Sequence, residues 1–261
     1  MAAGHGGPAE EARSLPLAFS GTVPRMKKLP LDKILQSQGF GTRRECRDQI
    51  AHGAVRVGDE TVLEYDRAFM PEALEFTVDD EPWTYLERIY IALNKPPGYE
   101  CSRKPSHHPS VMTLLPRQFL ARDVQSVGRL DHDTTGLLLL SDDGAFLHAL
   151  SSPRRHVPKV YVATTHEPVT PELVDHLRRG VKLHDEPLLL SAQVRQLDTH
   201  SLEMIVEQGK YHQVKRMLAA AGNHCVALCR VAVGGLTLDA LGLEEGAWYY
   251  IDPAQVTPRT A

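Results

Sequence analysis

One aspartate, Asp131, has the setting of a reactive carboxylate. It lies between Gly128 and Gly136, just before four consecutive leucines at residues 137–140. An apolar run of this length with glycines on both flanks indicates a strand that is buried on both faces. A carboxylate at the end of such a strand can be held rigidly and still reach a substrate, as a nucleophile or as a general base. The alternative is an aspartate that only caps a turn.

The same stretch contains an incomplete calcium-loop pattern. Oxygen-bearing residues and a glycine occupy positions one, three, five, six and twelve of an EF-hand-like loop; they are Asp131, Asp133, Thr135, Gly136 and Asp142. Position nine is a leucine, and the aspartate at position twelve is shorter than the usual bidentate glutamate. Because the leucines indicate a strand and not a loop, the pattern disfavours calcium.

A second possible metal site consists of His224, Cys225 and Cys229. The two sulfurs would point to the same face of a strand, but no second Cys/His pair accompanies them, as a structural zinc site requires. Buried small hydrophobes are the simpler interpretation of these cysteines. We therefore predict that the protein binds no metal.

The charges are unevenly distributed along the chain. The net charge is −4, yet residues 60–81 carry eight acids and one base, whereas residues 101–129 carry five bases and one acid. Residues 208–230 carry four bases and no acid. An acidic protein with locally basic segments is better suited to bind an anion at one site than to bind anions over its whole surface.

Two of these bases and a histidine fall at the start of a predicted helix. The apolar positions Val214, Met217 and Leu218 indicate the helix, and His212, Lys215 and Arg216 lie in its early turns. The positive end of the helix dipole disfavours cations there by about 0.3–1 kcal/mol each. An anionic partner, such as a carboxylate, a phosphate or both, would relieve this conflict.

The 261 residues suggest two domains with an α+β fold. We predict a disordered tail at residues 1–25, a small domain at residues 26–80, a linker at residues 81–88 and a larger domain at residues 89–261. The larger domain alternates strands and helices, which favours a mixed, mostly antiparallel sheet flanked by helices. Four scattered cysteines and the absence of a long apolar run predict a cytoplasmic protein without a membrane span.

The small domain resembles the S4 RNA-binding domain. Its segment reads LDKIL, then GFGTRRECRDQIAHGAVRVGDETV, with a capping-box pattern at Thr42 and Glu45. The resemblance implies that four basic side chains face RNA phosphates; they are Lys33, Arg43, Arg44 and Arg47. Clustered cations on a rigid face suit phosphate contacts, which need no base-reading geometry.

The larger domain resembles the pseudouridine synthases, and most closely the family typified by ribosomal small subunit pseudouridine synthase A. The resemblance rests on GRLD followed by TGLLLLSDDG, and on LNKPPGY, HPSV, SSPRRHVPKVY, GKYHQVKRM, AAAGNH and GGLTLDA in the expected order. With the S4 segment, it extends from about Leu29 to the C-terminus. A bare GRLD would not be specific, but the whole set of motifs is.

The resemblance implies a role for each of several residues. Asp131 matches the essential aspartate, Tyr161 the tyrosine that stacks on uracil, and Lys215 the basic residue that pairs with the aspartate. Arg129 matches the arginine that holds the extruded nucleotide, and further RNA contacts are expected from Lys210, His212 and Arg216. Conversion of uridine to pseudouridine needs neither a redox step nor a group donor, so we predict no cofactor.

His212 and Lys215 resemble the small-subunit branch of the family. The favoured substrate is therefore a uridine of 16S rRNA, in free RNA or a pre-ribosomal particle, as for the synthase that modifies position 516. The alternatives are a uridine of 23S rRNA, or a catalytically silent S4-type RNA-binding or assembly protein that would not require Asp131. We expect the protein to act as a monomer without a membrane partner.

Overall fold

The computed structural model describes residues 27–152, 155–184, 186, 190 and 192–256. The predicted tail at residues 1–25 lies outside the described residues. The described part of the chain forms two compact units. The first unit contains residues 27–89 together with Met112–Val124, and the second contains Tyr90–Val111 together with residues 125–256.

The first unit is built from two helices and small antiparallel sheets. Its elements are β1 (Leu29–Pro30), α1 (Leu31–Ser37), α2 (Arg43–Ala51), β2 (Val55–Val57), β3 (Glu60–Thr61), β4 (Ala68–Phe69), β5 (Glu75–Val78), β6 (Glu81–Thr84) and α3 (Arg117–Ala121), with a 3-10 helix at Val111–Leu114 before α3. β3, β2, β5 and β6 pair in that order, and β1 pairs with β4. The predicted capping box is present, because Thr42 N donates to Glu45 Oε2 at 2.7 Å and Glu45 N to Thr42 Oγ1.

The structure differs from the predicted domain boundaries in two segments. Residues 81–84, predicted as part of a linker, form strand β6 and pair with β5. Met112–Val124, predicted within the larger domain, packs in the first unit, where Arg122 donates to Gln38 Oε1 and Leu86 O at 2.8 Å each. Gly39 adopts a φ of +88°, and a Cβ there would overlap the backbone oxygen of Gln118. The contacts of Met112–Val124 join residues far apart in sequence, so local patterns did not indicate them. The β5–β6 pairing is instead a tight hairpin, whose two turn residues, Asp79 and Asp80, both have a positive φ.

The second unit is organised around a large mixed sheet. Its elements are β7 (Tyr90–Lys95), β8 (Gln125–Ser126), β9 (Thr135–Ser141), α4 (Gly144–Ser151), β10 (Lys159–Thr165), α5 (Pro171–Arg179), β11 (Gln193–Gln196), β12 (Ser201–Val206), α6 (Gln213–Ala220), β13 (Cys225–Val233), β14 (Leu236–Thr237), α7 (Leu238–Leu241), β15 (Trp248–Tyr250) and a 3-10 helix at Pro253–Gln255. The strand order is β11-β12-β10-β13-β9-β7-β15, with β8 on β9 and β14 on β13. Among the described strands, only the β9–β13 pair is parallel, which confirms the predicted mixed, mostly antiparallel fold.

The leucine run forms the centre of this sheet. Leu137–Leu140 lie in β9 and are all 0% exposed, as predicted for a strand that is buried on both faces. The strand also excludes the calcium-loop interpretation, because positions five to eleven of the would-be loop, Thr135–Ser141, form β9. Among the described residues, no group of three His, Cys, Asp or Glu side chains has metal-binding geometry. Within the same residues, no helix is both long and apolar enough to cross a bilayer.

Gly136 determines how closely β9 and β13 approach each other. Its φ is +100°, and a Cβ would overlap the backbone oxygen of Arg230. A side chain would therefore be disfavoured both by backbone conformation and by space. The Arg230 side chain is buried and donates from Nε to Leu137 O at 2.8 Å, which adds a side-chain hydrogen bond to the pairing of these strands.

Candidate active site

Asp131 lies in a tight turn that leads into β9. Thr134 N donates to Asp131 O at 3.1 Å, and Gly98 N donates to His132 O at 2.7 Å. The first of these hydrogen bonds closes the turn, and the second joins the turn to the neighbouring Pro-Pro-Gly loop. The Asp131 side chain remains 27% exposed, so its carboxylate is held and is still accessible to a substrate.

The Lys95 side chain binds backbone carbonyls of this turn. Its side chain is 0% exposed, and Nζ donates to Pro96 O, His132 O and Thr134 O at 2.9, 3.1 and 2.8 Å. Burial lowers the pKa of this ammonium, while the charges of the nearby acids oppose the shift. The sequence reasoning did not single out Lys95, although a lysine between an apolar strand and Pro-Pro-Gly was the available signal.

Two side chains from the start of α6 contact the Asp131 carboxylate. His212 Nε2 lies 3.0 Å from Oδ1, and Lys215 Nζ lies 3.3 Å from Oδ2. His212 adopts a left-handed conformation with a φ of +48°, and its ring stacks on Tyr211 at 3.8 Å between centroids. The structure thus brings together the predicted site residues Asp131, His212 and Lys215.

Lys215 also binds a second carboxylate. Its Nζ lies 2.6 Å from Asp133 Oδ1 and 2.8 Å from Oδ2. Burial would lower the pKa of Lys215, but the hydrogen bond that Lys215 donates to Asp133 and the charge of Asp131 raise it. For Asp133 the signs are reversed. Burial would raise the pKa of this carboxyl group, but the hydrogen bond from Lys215 and the positive charge of Lys215 lower it. These two carboxylates are the anions that relieve the unfavourable cations at the start of α6.

A single row of the sheet aligns Tyr161 with this site. Successive register partners along the row are Met204, Tyr161, Arg230, Gly136 and Lys95. Tyr161 is half-buried and lies two strand spacings, about 10 Å, from Gly136. The sheet therefore brings Tyr161 to the level of the turn that carries Asp131, although 30 residues separate them in sequence.

The other predicted RNA contacts near this site differ in their surroundings. Arg129 is exposed two residues before Asp131. Lys210 forms an ion pair with Glu186 Oε2 at 3.0 Å, and Arg216 donates to Tyr211 O at 3.2 Å. The structure therefore leaves Arg129 accessible and engages Lys210 and Arg216 in contacts within the chain.

A separate charge cluster occupies the first unit. Asp32 is 0% exposed, and its Oδ2 accepts from Arg43 Nε at 2.8 Å and from Arg47 Nε at 2.7 Å. Burial would raise the pKa of Asp32, but the bonds from the two arginines outweigh it and lower the pKa. Arg47 also lies over the Tyr65 ring at 4.4 Å. The sequence reasoning found the arginines and missed the aspartate that holds them.

Lys33 and Arg44, the remaining basic residues of the predicted S4 surface, are exposed. Lys33 lies in α1 and Arg44 in α2. Of the four basic residues predicted for the S4 surface, two are therefore fixed by a buried carboxylate and two extend into solvent.

Comparison with known proteins agrees with this division. The RNA pseudouridylate synthase family model matches residues 89–220, and the S4 domain model matches residues 29–67. Ribosomal small subunit pseudouridine synthase A of Escherichia coli strain K12 is 38% identical over 212 residues, which are 80% of this chain and 91% of that protein. The protein of the same name from Haemophilus influenzae is 35% identical and covers 87% of this chain and 97% of its own length.

A solved structure gives the same assignment. A crystal structure of a pseudouridylate synthase matches with a TM-score of 0.61 and 35% identity, covering 87% of this chain and 98% of that one. The match includes both the S4 unit and the unit that carries Asp131. Because the family model covers half of the chain and the relatives cover most of it, this protein belongs to the RNA pseudouridylate synthase family, with an S4 domain preceding the synthase domain.

Proposed function

We propose that this protein converts a uridine of 16S rRNA to pseudouridine, with Asp131 as the catalytic carboxylate. The relatives named ribosomal small subunit pseudouridine synthase A support the substrate. The observation that carries the catalytic assignment is a partly exposed carboxylate with one oxygen 3.0 Å from His212 and the other 3.3 Å from Lys215. The expected nucleotide is the one that corresponds to position 516.

The reaction requires one reactive carboxylate and no second substrate. The N1–C1′ bond breaks, the uracil rotates and a C5–C1′ bond forms; C5 then loses its proton and N1 takes up a proton, so the product is an isomer of uridine. Asp131 acts either as a nucleophile at C1′ or as a base for a sugar proton, and both roles require the ionised carboxylate. Lys215 supplies a positive charge 3.3 Å from this carboxylate, which compensates the negative charge of Asp131.

The remaining residues bind and orient the RNA in this proposal. Tyr161 stacks on the detached uracil, since base–aromatic stacking tolerates rotation of the ring. Arg129 contacts the extruded nucleotide, whose flipping costs a few kcal/mol. Lys210, His212 and Arg216 supply further RNA contacts. Phosphate contacts from Lys33, Arg43, Arg44 and Arg47 of the S4 unit offset part of the flipping cost.

The working form in this proposal is a cytoplasmic monomer that acts on 16S rRNA or on a pre-ribosomal particle. Modification-specific primer extension on rRNA from a strain that lacks the protein identifies the target. Loss of one 16S stop is the expected result. A full set of 16S stops with one missing 23S stop would select a 23S substrate instead, and unchanged stops on both RNAs would favour a non-catalytic assembly role.

Asp131→Asn tests the catalytic assignment. We expect tritium release from C5-labelled uridine in 16S rRNA to fall by at least about 10³-fold, because the amide can act neither as nucleophile nor as base. RNA binding should persist. Asp175→Asn, which removes an exposed acid from α5 of the same unit, is the matched control and should retain full activity. Substantial turnover by Asp131→Asn would refute the assignment.

A further inference from the structure

We propose that Asp133 is a positioning residue that holds the Lys215 ammonium beside the catalytic Asp131. This inference rests on the proposed role of Asp131. Lys215 Nζ is 2.6 and 2.8 Å from the two oxygens of Asp133 but 3.3 Å from the nearer oxygen of Asp131. The lysine is therefore bound most closely by a carboxylate other than the one it assists.

The donor count of the ammonium supports this arrangement. A lysine ammonium has three N–H donors, and here three carboxylate oxygens lie within 3.3 Å: both from Asp133 and one from Asp131. Two contacts to Asp133 restrain a long and flexible side chain. The third contact is then directed at Asp131 without a search among other orientations of the lysine.

Asp133 can act as an anchor because its own backbone is fixed. Lys95 Nζ binds the carbonyls of both chain neighbours, His132 and Thr134, and Gly98 N also donates to His132 O. Asp131 lies in the same turn, closed by Thr134 N to Asp131 O. The distance between the two aspartates is therefore set by the turn, and Asp133 transmits that geometry to α6 through Lys215.

The charges around Lys215 predict a measurable change in its pKa when Asp133 is replaced. Lys215 faces Asp131 and Asp133 of the turn and Cys225 at the start of β13, and His212 binds the same Asp131 carboxylate. The hydrogen bond that Lys215 donates to Asp133 makes the largest contribution that raises the pKa of Lys215 against burial. Removing the charge of Asp133 lowers that pKa, so the lysine loses its proton at a lower pH.

The first test is Asp133→Asn, assayed by tritium release from 16S rRNA across a pH range. We expect kcat to fall by about 10-fold, the size of one charged hydrogen bond. KM for RNA should be nearly unchanged, and the basic limb of the kcat profile should move to lower pH. Asp133→Glu, which keeps the charge, should restore the wild-type limb and part of kcat. Asp175→Asn serves as the control for loss of one negative charge.

A double-mutant cycle separates positioning from a merely structural role. If Asp133 acts through Lys215, adding Asp133→Asn to Lys215→Met has no further effect on kcat. Full additivity, or an unmoved basic limb in Asp133→Asn, would overturn the inference. Equal melting temperatures of wild type and Asp133→Asn are expected, because the Asp133 side chain is 55% exposed. If Asp131→Asn stays active, the proposed function fails; if only Asp133→Asn behaves as wild type, this inference alone fails.

Discussion

Among the described residues, each unit has a charged side chain that is 0% exposed, and the two charges have opposite signs. In the synthase unit, the Lys95 ammonium is 0% exposed and binds three backbone carbonyls. In the S4 unit, the Asp32 carboxylate is 0% exposed and binds two arginine side chains. A buried cation thus supports a turn that presents acids, and a buried anion supports two bases.

The difference lies in what each buried charge restrains. Lys95 fixes backbone, and with it the positions of Asp131 and Asp133 relative to the sheet. Asp32 fixes only the side chains of Arg43 and Arg47. Chemistry at a sugar carbon requires reacting atoms aligned within a fraction of an ångström, whereas phosphate contacts mainly orient the RNA. Under the proposed roles, restraint of the backbone accompanies catalysis by Asp131, and restraint of side chains accompanies phosphate binding by Arg43 and Arg47.

Among the variants that test this comparison, the largest effect is expected from Lys95→Met. The substitution keeps the bulk of the side chain but removes the Lys95 donor from the buried Thr134 carbonyl, at about 1–3 kcal/mol. It also removes one of the two donors to His132 O, which keeps its bond from Gly98 N. We expect kcat to fall by at least about 100-fold, because the turn that carries Asp131 is no longer fixed. Thermal unfolding and tritium release measure the two effects.

Lys159→Met is the matched comparison for Lys95→Met. Lys159 is partly buried, and as for Lys95, burial lowers the pKa of its ammonium. Its Nζ, however, donates to a carbonyl of the same segment, Val157 O, at 2.9 Å. Its replacement should lower stability by about 1 kcal/mol. Equal losses of stability in the two variants would show that Lys95 has no special role in holding the turn.

Asp32→Asn should separate stability from catalysis. It removes the anion shared by Arg43 and Arg47, and because both arginines are partly exposed we expect a loss of about 1–2 kcal/mol, below the cost of a fully buried pair. The kcat should not change. Asp48→Asn, at an exposed position of α2, is the control and should be nearly neutral.

The pH dependence of unfolding sharpens this prediction. The folded-state pKa of Asp32 is lower than its ordinary value of 3.8, so its stabilisation is complete above about pH 4 and is lost as the pH falls through the folded-state pKa. Acid titration of wild type should show this loss below pH 4. Asp32→Asn should show less of it, and identical acid profiles would contradict the role assigned to Asp32.

The smallest effect is expected from the exposed cations of the S4 unit. The double variant Lys33→Ala with Arg44→Ala removes two proposed phosphate contacts and no buried bond. RNA affinity should fall several-fold, and the slope of log K against log salt should decrease in magnitude by about 2. Arg195→Ala in β11, whose partner is Glu203, should leave the slope unchanged. An unchanged slope in the double variant would remove these residues from the RNA surface.

Much of the fold was predictable from local patterns. The leucine run indicated a buried strand, Thr42 and Glu45 indicated a capped helix, and the periodic apolar positions indicated α6; the structure has all three. The errors are of two kinds. Residues 81–84 form a tight hairpin with β5 across Asp79 and Asp80, a local pairing that the polar, acidic composition of the segment did not indicate. Met112–Val124 packs with a unit that is distant in sequence, and the partner determines the structure of that segment.

The sequence by itself determined the family, the mixed sheet and the residues that carry charge near Asp131, since these depend on motifs and on periodicity within short segments. Only the tertiary structure decided which charges meet. Lys215 lies 82 residues from Asp133 in the chain, and Asp32 lies 11 and 15 residues from its arginines. A hydrogen bond depends on positions within a few tenths of an ångström, and strand register and helix packing set those positions. For this reason the anchors Lys95, Asp32 and Asp133 became recognisable only in the folded protein.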